Sequence, residues 1–83
     1  MRRANGLDEF HSRMLAGDGV EYFEDSRGMP TIDYPHVHVV HHGSGQVDVV
    51  ASRSSYDHAW RTSLRNPSGN EVQDAVRTAR GYL

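Results

Sequence analysis

The 83-residue chain contains no cysteine and no lysine. Without cysteine it can form neither a disulfide nor a thiolate zinc site, and its redox compartment is not encoded. A domain this small has a modest core, so stability supplied by a metal on other ligands or by a second copy of the chain, as a homodimer, is a natural expectation. All nine basic residues are arginine, the better residue for bidentate phosphate or carboxylate contacts. Long apolar runs are missing too: none approaches the roughly 20 residues of a membrane span. The opening MRRANGLDEF has a basic start but no apolar core behind it, which is not a secretory signal. These absences point to a soluble, cytoplasmic protein with no membrane partner.

A strong positive charge is also lacking. The formal net charge is −2, without the basic footprint of a high-affinity nucleic-acid binder. The charge is uneven, however: residues 1–52 carry four arginines against eight carboxylates, whereas residues 53–83 carry five arginines against Asp57, Glu71 and Asp74. One end can attract phosphate while the other repels it. There is no repeat, low-complexity tract or dividing linker, so residues 1–83 are read as a single α+β domain. No nucleophile motif, phosphate-cradling glycine loop or H-E-x-x-H is present.

What the chain does have is clear local patterning. In NGLDEFHSRMLAG, residues Leu7, Phe10, Met14 and Leu15 fall at helical spacing, with Asn5 as N-cap and Gly17 as the stop. GVEYFEDSRG alternates as a strand, with Val20 and Tyr22 on one side and Phe23 on the other. SRGMPTIDYP, with its glycine and two prolines, reads as a loop or an irregular edge. SSYDHAWRTSLR spaces Tyr56, Trp60 and Leu64 by four, the pattern of a short helix, with an irregular connection as the alternative. In SGNEVQDAVRTARGYL, Ser68 and Glu71 make a capping box, Val72, Ala75, Val76 and Ala79 an apolar stripe, and Gly81 the stop. The expected architecture is an N-terminal helix, a three-stranded antiparallel sheet with a central hairpin, and a C-terminal helix packed on one face.

The chain also has histidine. YPHVHVVHHGSG holds His36, His38, His41 and His42 of the six in all. On a strand, Val37, Val39 and His41 share one face and His36, His38, Val40 and His42 the other; the valines select the core, turning His36 and His38 outward. With Gly43–Gly45 as the turn, Val39 pairs with Val49, His38 with Val50 and His36 with Ser52, and Asp48 sits opposite Val40.

Three uses of the histidines follow. As metal ligands, His36 and His38 lie roughly 6.6 Å apart at Cα and need a third partner such as Asp48 or His58. As acid–base groups titrating near neutrality, they can cleave RNA without metal or other cofactor. One activates the 2′-hydroxyl, another protonates the leaving oxygen, and an arginine stabilises the phosphorane. Arg53, beside the neighbouring strand, is the candidate catalytic arginine with His36 and His38; Arg27 and Ser52 are the candidate substrate contacts. Failing both, the rings only decorate a solvated sheet.

Pro35, His36, Val37, His38 and Val39 resemble the P-P-H-F/V-H-V signature of a family of small bacterial proteins of unknown function. In that family the motif lies on a strand, a hairpin follows and a helix closes the chain. Tyr34 stands in place of the first proline, and the family's arginine and acidic pattern in the last helix is not reproduced. The layout is also similar to HicA-type mRNA interferases, in which a middle-strand histidine is catalytic; that likeness gives the role to His38 or His36. The first resemblance implies a toxin–antitoxin-like component with a partner protein encoded nearby, and the HicA-type likeness implies action on RNA. The alternative is a non-enzymatic module, an antitoxin, inhibitor or phage accessory protein, binding through a sheet edge or the Tyr56/Trp60 surface.

Overall fold

The alternating valines of residues 36–51 build the centre of the molecule. The computed structural model describes residues 1–83. Its elements are β1 (Arg2–Arg3), α1 (Leu7–Leu15), β2 (Gly19–Glu24), β3 (His36–His42), β4 (Gln46–Ser54), β5 (Asp57–Arg65) and α2 (Gly69–Arg80). The strands form one sheet in the order β1-β2-β3-β4-β5. β1 runs parallel to β2 and every other neighbouring pair is antiparallel.

The α+β class and the hairpin register agree with the sequence reading. Val39 pairs with Val49, His38 with Val50, Val40 with Asp48 and His36 with Ser52. Gly43 and Gly45 bracket the turn at φ +83° and +88°, a region costly for any residue with a Cβ. A register slipped by one residue would send every valine to the wrong face.

The expected three-stranded antiparallel sheet does not hold: the sheet has five strands and is mixed. Residues expected as a short helix around Tyr56, Trp60 and Leu64 form β5. An interval of four is one helical turn and also two strand repeats, so Trp60 and Leu64 share a face in either structure. What decides is the outer edge of β4, whose backbone groups need partners. Ser54 starts the return, its hydroxyl accepting the N–H groups of Tyr56 at 3.2 Å and Asp57 at 3.1 Å. β1, two residues long, is too short to leave any periodic signal.

Both helices lie on one face of the sheet. There Val20, Tyr22, Val37, Val39, Val47, Val49 and Ala51 pack against Phe10 and Met14 of α1 and Val72, Val76 and Ala79 of α2. α2 carries the expected capping box, Glu71 N–H to Ser68 Oγ at 3.2 Å and Ser68 N–H to Glu71 Oε1 at 3.1 Å. α1 is capped by Gly6 in place of Asn5, and Leu15 at its end is exposed. One charged pair crosses this face: Glu24, 0 % exposed, accepts two bonds from the Arg80 guanidinium, from Nε and, at 2.9 Å, from Nη2, and one from the Tyr22 hydroxyl at 3.0 Å. No helix is long and apolar enough to cross a membrane.

Candidate functional site

The opposite face of the sheet has no helix on it, and its side chains line a cavity of about 350 Å³. Cross-strand rows organise it. His36, Ser52 and His58 stand abreast on β3, β4 and β5; in the next row come Phe23, His38, Val50 and Arg61; in the next, Glu21, Val40, Asp48 and Ser63. All but Glu21 and Ser63 line the cavity, and Tyr34, from the loop before β3, closes one side.

His58 belongs to this face because β5 breaks step. Pairing moves from Ala51–Trp60 to Ser52–His58, passing over Ala59. In an unbroken ladder Ala59 would oppose Ser52 and His58 would point to the helix side. The extra residue re-aims the imidazole, the usual effect of a bulge.

The rings have distinct attachments. His36, buried under Tyr34, holds Nδ1 3.0 Å from the Ile32 carbonyl oxygen. That contact requires the proton on Nδ1 and leaves Nε2 as a free lone pair without a protein partner. His58 places Nδ1 2.8 Å from Ser52 Oγ, and its Nε2 is likewise uncommitted. Two strand spacings separate these rings, roughly 10 Å at Cα. His38 differs: its Nε2 is 3.0 Å from Glu21 Oε1, and the ring stacks on Phe23 at 4.2 Å. Burial lowers its pKa below the ordinary imidazole value, and the Glu21 carboxylate only partly offsets this.

Asp48, 6 % exposed, collects Ser63 Oγ–H at 2.6 Å, Gln46 Nε2–H at 3.0 Å and His42 Nε2 at 3.1 Å, with Arg61 Nη2 3.9 Å away. The Ser63 bond, followed by those of Gln46 and His42, pulls its carboxyl down to about 2, against the opposing effect of burial. An unfolded aspartate titrates near 3.9. The folded state therefore gains stability that is complete above about pH 5 and is lost as pH falls from about 4 toward 2, about 2 kcal/mol in all. Urea midpoints measured between pH 6 and pH 2 should show that loss, and Asp48→Asn should lack it; parallel curves for the two proteins would refute the assignment.

The five residues singled out from sequence are placed unequally. His36, His38 and Ser52 come together in the cavity. Arg53 does not join them: it follows Ser52 by one residue, lies on the helix side, and donates Nε–H to the Tyr82 carbonyl at 2.9 Å. Arg27 is held in the loop by Asp25, its backbone N–H 2.8 Å from Oδ1. The cavity's arginine is Arg61. His58 was considered from sequence only as a third metal ligand, and Arg61 not at all, because their segment read as a helix; strand alternation would have brought up Arg61, but nothing in the sequence marks the bulge at Ala59. No three histidine or carboxylate side chains converge in a set that could hold a metal ion. Asp48, a candidate third ligand, is hydrogen-bonded to His42, and His58, the other, stands two strands away from His36. No family model matches the chain, and no curated protein or solved structure is found similar to it.

Proposed function

We propose that this chain is a small toxin-like ribonuclease of the cytoplasm, cleaving RNA by histidine acid–base chemistry without a metal, with an inhibitory protein partner encoded nearby. The observation that carries the reading is the row His36–Ser52–His58, two imidazoles with free Nε2 atoms flanking a serine on the open face. Roughly 10 Å between their Cα atoms leaves room for a phosphodiester between the rings. The neutral His36 Nε2 takes the 2′-hydroxyl proton, O2′ bonds to phosphorus, the P–O5′ bond breaks, and protonated His58 gives its proton to O5′. The products are a 2′,3′-cyclic phosphate and a 5′-hydroxyl. Arg61, one row away, offsets the charge on the equatorial oxygens. His38, its pKa lowered by burial and its Nε2 engaged by Glu21, lines the pocket in the next row.

The test is cleavage of a single-stranded RNA by purified protein in EDTA, beside His36→Gln with folding checked by circular dichroism. Wild type should generate cyclic-phosphate ends and the folded variant should not. Intact RNA with wild type, or cleavage only on adding a divalent metal, would remove the reading.

A second reading, a protein-binding module that pairs as a homodimer or with another chain, draws on the unpaired outer edge of β5 and on Tyr56, 95 % exposed at the β4–β5 turn. An exposed edge is a template for another strand. Trp60, the other residue of that surface, faces the helix side and stacks on Tyr82 at 5.9 Å.

A further inference from the structure

Resting on the ribonuclease reading, we infer that the aromatic wall of the cavity is a stacking platform for one unpaired nucleobase, so that the site takes single-stranded RNA and rejects duplex. Four rings form a continuous ladder beside the catalytic row. Tyr34 lies on His36 at 4.4 Å and 23°, His36 meets Phe23 edge-on at 5.0 Å, and Phe23 lies flat on His38 at 4.2 Å and 1°. Tyr34, with one face on His36, is still 48 % exposed.

A half-exposed aromatic ring stands at one side of a cavity whose lining is mainly apolar. It suits a ligand with a π-face. Val40 and Val50 supply an apolar floor, Arg61 a cation at the wall, and the volume of about 350 Å³ admits a base with its sugar. Arg3, stacked over Phe23 with its guanidinium carbon 5.2 Å from the ring centroid, adds positive charge on the far side of the ladder, where the strand would continue. Every base has a π-face, so stacking of this kind tolerates sequence. A paired base has both faces covered by its neighbours and cannot reach the platform without leaving its duplex.

The probe is an end-labelled dodecamer of alternating uridine and cytidine made uncleavable by 2′-O-methylation, with binding read by fluorescence anisotropy. Its duplex with the complementary dodecamer is the comparison ligand. Tyr34→Phe should bind the single strand like wild type, whereas Tyr34→Ala and Tyr34→Leu, the latter keeping bulk without a π-face, should each bind roughly tenfold more weakly. The duplex should bind at least tenfold more weakly than the single strand. Equal affinity for duplex would overturn the inference, as would Tyr34→Leu binding like wild type in a protein folded by circular dichroism. Because the probe cannot be cleaved, the two readings fail separately. Tyr34-dependent binding with no cleavage of ordinary RNA removes the ribonuclease alone, and histidine-dependent cleavage that ignores Tyr34 and strandedness removes the platform alone.

Discussion

Replacing His58 by alanine is expected to lower RNA cleavage roughly 10²–10⁴-fold, the usual contribution of a positioned acid or base, without disturbing the fold. His58 is exposed, contributes no core packing and touches one hydroxyl, that of Ser52. His36 is a less clean target because its ring is buried between Tyr34 and Phe23. If one imidazole must be neutral and the other protonated, wild-type cleavage rises and falls with pH, and each single variant loses one limb of that profile. The double variant His36→Gln/His58→Ala should be hardly worse than either single one, since two groups serving one transition state do not add. Rates measured from pH 5 to 8 on all four proteins decide this. Activity within threefold of wild type in folded His58→Ala would transfer the acid role to another ring.

Arg80→Ala should destabilise the protein by about 3 kcal/mol, the cost of stranding a buried charge. Glu24 is fully buried, and without Arg80 its carboxylate keeps only the Tyr22 hydroxyl. Alanine is the best helix former, so the loss cannot come from α2 itself. For a domain of this size the melting temperature should fall by roughly 12–24 °C. Removing both charges in Glu24→Leu/Arg80→Leu should recover most of the loss, because well-packed apolar groups replace buried pairs at little cost. A fall below about 4 °C for the single variant would mean that water reaches the carboxylate.

The legible parts of the fold were those with one solution. Alternating valines around Gly43–Gly45 admit a single register, and Ser68 with Glu71 admits a single cap; the structure has both. β5 was illegible because its apolar spacing of four satisfies helix and strand alike, and tertiary pairing with β4 made the choice. β1 has two residues and exists only because β2 offers it an edge. In the candidate site, His36, His38 and Ser52 follow from alternation alone. Alternation also excludes Arg53, which must face away from its neighbour Ser52. His58 does not follow from it, since its direction depends on a pairing defect.

That defect makes the length of β4 as consequential as its composition. Side chains on a strand are assigned to faces by parity, and Ala59 is the one residue that changes the parity between Trp60 and His58. Deleting Ala59 would leave a regular ladder, with Trp60 still opposite Ala51 and His58 still opposite Ser52, so the imidazole would keep its face. A residue inserted in β4 between Ala51 and Ser52, opposite Ala59, would instead restore step at the greater length and turn Ser52 and His58 toward the helices. An insertion outside the cavity's own residues can therefore dismantle the candidate site.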